Sequence, residues 1–216
     1  MWNRLRYKIW APAYDALVGA AGFAAARRLS IDRLKLAPSD RVLIVGAGTG
    51  LDLDFLPSNV LVTAIDVTPA MLKHLERRAA GAGRPVTVHT MDARQLAFPD
   101  SSFDAVVMHL ILAVMPQPER GVREAVRVLR PGGRIAVFDK FLRDEERPSL
   151  RRRLLNAFAK PLFSDLNRRL GPMIAGTPLV IEHDEPVAFA GTYRVVTLRN
   201  PDRGSPSAGG ASSVAP

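Results

Sequence analysis

The residues whose types and spacing suit chemistry begin with Gly46-Ala47-Gly48-Thr49-Gly50, followed about 20 residues after the first glycine by Asp66. Glycine lets a backbone turn tightly and approach a ligand that a Cβ would hold off, and a carboxylate at that interval can accept from both hydroxyls of a ribose. The loop also discriminates among nucleotide ligands. A dinucleotide fingerprint calls for its third glycine where Leu51 stands, and a phosphate-binding P-loop calls for Lys and then Ser or Thr where the chain has Leu51-Asp52. The expected ligand therefore carries a ribose and no phosphate. Further along, His109 heads the oily run Leu110-Ile111-Leu112, and Asp139 follows the apolar run from Ile135 to Phe138. A histidine, with an ordinary pKa near ~6.5, suits proton exchange with an ammonium or hydroxyl; it equally suits capping a strand end or packing on a base. Asp139 suits either a cationic head group or an ion pair with Lys140 or a nearby arginine. No histidine pair has metal-ligand spacing and cysteine is absent, so neither a metal site nor a disulfide is expected.

Positioning these residues requires an alternating α/β unit. Apolar runs predict strands over Val42–Val45, Val60–Ile65, Val86–His89, Ala105–Met108 and Ile135–Phe138, the third and fourth apolar enough to be interior. A helix is expected directly after the glycine loop, its free N–H groups aimed at the ligand. Thr68-Pro69 reads as an N-cap and first-turn pair opening a helix through Met71, Leu72 and Leu75 that stops at Gly81-Ala82-Gly83. Val122, Ala125, Val126 and Leu129 fall on one helical face, and Pro131-Gly132-Gly133 predicts a turn into the fifth strand. Helical spacing returns at Leu150, Leu154 and Phe158, and two more strand-like runs, Leu179–Glu182 and Tyr193–Leu198, close the unit. The pattern predicts a mostly parallel sheet with helices on both faces.

In order along residues 35–142, the segments Val42–Gly50, Ile65-Asp66, Met91-Asp92-Ala93, Phe103–His109 and Leu129–Arg134 resemble the class I S-adenosylmethionine-dependent methyltransferases. The resemblance implies a Rossmann-like, seven-stranded sheet with an antiparallel C-terminal edge pair. It implies S-adenosylmethionine as cofactor, with Gly46, Ala47, Gly48, Thr49 and Gly50 along the methionyl part and Asp66 on the ribose. Val67 and Met71 would flank the adenine, Asp92 would accept from its amino group with Ala93 beside it, and His109 would stand at the methyl. The chain departs from the family at Ile44, where an acidic residue is common; Asp52 or Asp54 is placed to compensate. Nearest in pattern are bacterial phosphatidylethanolamine N-methyltransferases and ubiquinone/menaquinone C-methyltransferases. In the former a tyrosine of an N-terminal helix sits over the donor, which implies Tyr14 or Tyr7.

Composition narrows the acceptor. A net charge of +9 in 216 residues points to an anionic partner, or merely to an arginine-rich background. Without cysteine, methylation of pyrimidine C5 through a covalent adduct is excluded. Enzymes that methylate exocyclic amines of bases place Asn or Asp, two prolines and an aromatic where this chain has His109-Leu110-Ile111-Leu112, so nucleic acid is disfavoured. Trp2, Leu5 and Ile9 share one helical face opposite Arg4 and Lys8, and arginines surround the Leu150-Leu154-Phe158 face. Such segments suit an anionic membrane interface or a cover over the cleft. The organisation expected is a helical lid or membrane-facing segment over residues 1–36, a methyltransferase domain over 37–199 and a disordered tail over 200–216. The expected place of action is cytoplasmic, peripheral to the inner membrane face, on a lipid-like acceptor; a quinone or a small phenol, thiol or amine is the alternative. A scaffold that binds the cofactor without turnover is the reading from another class.

Overall fold

The computed structural model describes residues 21–142, 167–188 and 191–202. Tyr7, Tyr14 and the Trp2 helix, the helical spacing from Leu150 to Phe158, and the tail from residue 203 lie outside the described residues. Helix α1 (Ala21–Asp32) leads into β1 (Arg41–Val45), a 3-10 turn (Leu51–Asp54), β2 (Leu61–Asp66), α2 (Pro69–Gly81), β3 (Val86–Thr90), β4 (Phe103–His109) and α3 (Pro118–Val128). Then follow β5 (Leu129–Lys140), α4 (Leu170–Ile174), β6 (Val180–Ala188) and β7 (Tyr193–Arg199). The strands form one sheet in the order β3-β2-β1-β4-β5-β7-β6, with β7 antiparallel to both neighbours and the remaining pairs parallel. This is the expected Rossmann-like class I methyltransferase fold.

Strand alternation divides the apolar side chains between two layers. Leu43, Val45, Ile65, Val106, Met108 and Val137 pack with Val122, Ala125 and Val128 of α3. Val42, Ile44, Val62, Ala64, Val107 and Ala136 pack on the other face with Ile31 and with Leu72, Leu75 and Ala79 of α2. Both faces are covered, which is why these strands read as continuous apolar runs. A third cluster joins Phe23 and Ala26 of α1 to Phe138 and Val195, with the Phe23 ring edge-on to Phe138 and to Tyr193 at 5.4 and 4.9 Å between centroids. The N-terminal helix is thereby fixed to the sheet beside β5 and β7.

The structure differs from the sequence expectation in five places. The strand at Val86–His89, expected to be interior, is the edge strand β3, with Thr87, His89 and Thr90 exposed. After the glycine loop the chain makes only the four-residue 3-10 turn, because Pro57 lies three residues beyond it and opposes further helix, so no long helix aims its N–H groups at the loop. Leu129 leaves α3 in an extended conformation and opens β5, keeping its burial in the same core. Pro131-Gly132-Gly133 forms a bulge within β5, since Phe103 pairs with Leu129 while Ala105 pairs with Arg134. Asn200, expected at the start of a disordered tail, is buried: its side-chain amide donates to the Leu129 and Arg130 carbonyls at 3.3 and 3.2 Å, and its backbone pairs with Gly132 and Gly133. The bulge needs these partners, as its own carbonyls have left the ladder.

Candidate active site

The strand order reverses direction between β1 and β4, and parallel sheets bind ligands outside the carboxyl ends of strands at such a point. A cavity of about 440 Å³ lies there, within the range usual for small-molecule sites. Its wall includes Gly46, Ala47, Gly48, Thr49, Asp66, Val67, Met71, Asp92, Ala93 and His109, so the structure brings these expected residues together. Gly50 does not line it. A Cβ there would meet Leu75 at 2.9 Å, so this glycine serves the close approach of α2 to the loop.

Asp66 ends β2 with one carboxylate oxygen accepting from Gly48 N at 3.0 Å and the other from Thr68 N at 2.8 Å. The Thr68 hydroxyl and the Val67 N–H also bond this carboxylate, and Asp66 borders the cavity. Burial pushes this carboxyl up from its ordinary pKa, and the N–H bonds from Thr68 and Gly48 oppose the rise. Thr68 holds the N-cap position of α2 without a side-chain capping bond, its hydroxyl as well as its backbone N–H being turned to Asp66. Gly48 has φ +54°, and a Cβ built on it meets nothing within 4 Å. The backbone here thus borders open space that a side chain would fill. On the far side Asp92 is held by Arg94, which donates from Nη2 at 2.7 Å and lowers the Asp92 pKa.

The end of the cavity near β4 holds a buried polar network. His109 Nδ1 lies 2.7 Å from Asp52 Oδ1 and Nε2 lies 3.0 Å from Ser30 Oγ. Arg27 of α1 donates to the same Oδ1. Burial alone would raise the Asp52 carboxyl; the neighbouring His109 and Arg27 more than offset it and hold Asp52 well below the usual carboxylate range. An ionised Asp52 only accepts, so Nδ1 carries the proton and donates, and in the neutral ring Nε2 accepts from the Ser30 hydroxyl. Acid, imidazole and hydroxyl are in line as in a hydrolase relay, yet Ser30 is fully buried and outside the cavity wall. Both contacts to Asp52 fall on Oδ1, and Asp52 lines the cavity. Asp54 pairs instead with Arg78 away from the cavity, and Ile44 is buried in the core.

Asp139 corrects the sequence reading. It is fully buried and absent from the cavity wall; one oxygen accepts from Ala113 N at 2.9 Å and the other from Lys140 N at 2.8 Å. Burial raises its pKa, and these N–H donors counter the rise. It cannot touch a head group. Sequence reasoning also missed Arg27 and Ser30. The signal was available: Arg27 is four residues from both Phe23 and Ile31, inside the apolar stripe of α1.

Guanidinium groups fasten the loops around the cavity. Arg84 donates to the carbonyls of Leu53, Leu56 and Pro57 behind the glycine loop. Arg127 donates to Leu96 and Phe98 carbonyls beyond β3. Arg168 donates to the Leu112 and Met115 carbonyls after β4. Each satisfies carbonyls that irregular backbone would otherwise leave without partners.

Residues 43–137 match a family model described as a methyltransferase domain. The chain is 40% identical over 141 residues to phosphatidylethanolamine N-methyltransferase of Cereibacter sphaeroides, covering 64% of this chain and 68% of that enzyme. It is 39% identical over 112 residues to demethylmenaquinone methyltransferase of Mycolicibacterium vanbaalenii, covering 51% of this chain and 46% of the other, about half of that relative's length. Among solved structures, geranyl diphosphate methyltransferase in complex with S-adenosylmethionine superposes with a TM-score of 0.71 at 16% identity over 82% of this chain and 85% of that one, a likeness of fold. The fold and the relatives together place the chain in the class I methyltransferases. It belongs to the S-adenosylmethionine-dependent family and is an enzyme of that family. The cavity fits the cofactor: Asp66 places a carboxylate on its wall, the border at Gly48 is open, and Val67 and Met71 supply apolar surface for a base. Among the described residues no group of three or more His, Asp or Glu is arranged to hold a metal, and no helix is long and apolar enough to cross a membrane.

Proposed function

We propose that the enzyme methylates the amine of a phospholipid head group at an anionic membrane surface. The observation that carries this reading is the 40% identity to a phosphatidylethanolamine N-methyltransferase over 68% of that enzyme. It is supported by the segment after β4, where Leu110, Ile111, Val114 and Met115 line the cavity with apolar side chains rather than base-binding amides. The charge of +9 favours anionic lipid, although three arginines are engaged inside loops.

In this reading Asp66 binds the ribose, Gly46 to Thr49 flank the methionyl chain, and Val67 and Met71 flank the adenine, with Asp92 and Ala93 at its edge. Asp52 takes the place of the acid that Ile44 lacks: its carboxylate, on the cavity wall, accepts from the methionyl ammonium. The cofactor supplies a methyl carbon already activated on a sulfonium. His109 has both ring nitrogens engaged, so it positions Asp52 rather than deprotonating the acceptor. Its Nδ1, 2.7 Å from Oδ1, fixes the orientation of the Asp52 carboxylate. Tyr14, outside the described residues, remains the candidate to cover the donor. Quinone C-methylation is the second reading, favoured by the menaquinone relative.

The test is methyl-labelled S-adenosylmethionine with vesicles containing phosphatidylethanolamine, alongside a quinone extract. Label in mono- or dimethylated ethanolamine lipid is the expected result. Label confined to the quinone fraction overturns the acceptor assignment. Cosedimentation tests docking separately: binding to anionic but not neutral vesicles is expected, and equal binding removes the charge argument.

A further inference from the structure

The segment between β4 and α3 forms much of one cavity wall through Leu110, Ile111, Val114, Met115 and Pro116. Its backbone is irregular. Leu110 and Gln117 have positive φ, 56° and 51°, an uncommon conformation for residues other than glycine, and between them lies a single turn closed by Val114 N and Met115 N on the Ile111 carbonyl at 3.1 and 2.8 Å. One turn of this size is too short to persist by its own hydrogen bonds. Two charged residues from other parts of the chain supply the missing partners. The buried Asp139 carboxylate, at the end of β5, takes the Ala113 N–H at 2.9 Å, and the Arg168 guanidinium takes the carbonyls of Leu112 and Met115, the latter at 2.6 Å. The two are connected in turn, because the Leu142 N–H, shortly beyond Asp139, donates to the Arg168 carbonyl at 2.9 Å. Neither Asp139 nor Arg168 lines the cavity.

We propose that Asp139 and Arg168 form a two-sided clamp on residues 110–117 that sets the shape of the acceptor wall, making them positioning residues for acceptor recognition. An anion holds the N–H side of the turn and a cation the carbonyl side, so neither can replace the other. Asp139 is a buried charge and Arg168 a half-buried one; leaving such groups without partners is costly, and here their N–H and carbonyl partners belong to the segment whose shape they determine. The donor loop and Asp66 are held by other groups, so the clamp governs the acceptor side of the cavity.

The inference rests on the acceptor meeting this wall, and the experiment keeps that premise separate. Hydrogen exchange of full-length Arg168→Gln and Asp139→Asn, without any ligand, should show the 110–117 amides exchanging roughly ten- to hundredfold faster while the amides of β1 and β2 keep the wild-type rate. Calorimetry with S-adenosylhomocysteine should give affinity within about twofold of wild type, and KM for ethanolamine lipid should rise about tenfold with a smaller change in kcat. Unchanged exchange in both variants overturns the clamp. Loosened exchange with an equal loss of S-adenosylhomocysteine affinity overturns its restriction to the acceptor side. If wild type fails to turn over ethanolamine lipid, the lipid reading fails while exchange and calorimetry still decide the clamp. Should Asp139→Asn not fold, Arg168→Gln carries the same measurements.

Discussion

Replacing Gly48 with alanine separates what the loop needs in order to fold from what it needs in order to bind. At φ +54° a side chain costs about 1 kcal/mol, while the added methyl meets no protein atom within 4 Å. The free enzyme should therefore lose little, about 2–4 °C in Tm for a chain of this size. The bound state is different. If the methionyl chain of the ligand lies along this backbone, the methyl intrudes on it, and overpacking of that kind costs about 1–3 kcal/mol, or roughly 5- to 150-fold in Kd. Gly46→Ala provides the contrast, since its Cβ would stand 2.7 Å from Ile111 side-chain atoms and should damage stability and binding together. Calorimetric titration with S-adenosylhomocysteine and a thermal melt of the same samples measure both quantities. Wild-type affinity in Gly48→Ala would refute the placement of the ligand against the glycine loop.

Asp66 titrates above the ordinary aspartate value because it is buried, so acidification should weaken S-adenosylhomocysteine binding at a pH higher than an exposed aspartate would dictate. The sign for stability is opposite. The ligand-free fold binds the extra proton more readily than the unfolded chain, so Asp66 destabilises it as pH rises through that window; Asp66→Asn should remove both trends, as calorimetry and melts across pH would show. Asp52 has a folded pKa below its unfolded one, so its stabilisation is complete at neutral pH and lost only as pH falls below about 3.8 toward the folded value. Asp52→Asn leaves the Arg27 guanidinium buried without its counter-charge and should cost about 3–5 kcal/mol, a Tm loss of roughly 10 °C at pH 7 in a melt. A loss of under a degree would show that the pair contributes nothing.

Some of this was legible in the sequence because the physics is local. Val42 to Val45 are buried on both sides and cannot be polar, Gly46 to Gly50 announce a loop that must pass close to something, and Asp66 ends the next apolar run, the parallel strand beside β1. Other features depend on partners remote in sequence. Asp139 looks like a rim carboxylate until the backbone of Ala113 is placed beside it, and Gly50 looks like part of a ligand loop until Leu75 arrives. The apolar stripe of α1 marks Arg27 as inward, but that it and Ser30 meet Asp52 and His109 follows only from where the helix docks on the sheet. Leu129 satisfies helical spacing and strand burial alike, and the bulge at Gly132 decided between them.

Arg84, Arg127 and Arg168 each hold at least two backbone carbonyls at once. A lysine of equal charge offers one compact ammonium on a flexible stem and cannot reproduce a planar fork spanning two acceptors. Wholesale Arg-to-Lys recoding, a common route to better expression or crystallisation, would preserve the charge of this enzyme at neutral pH while slackening three sides of its cleft. The exposed arginines outside these loops are the ones open to such recoding.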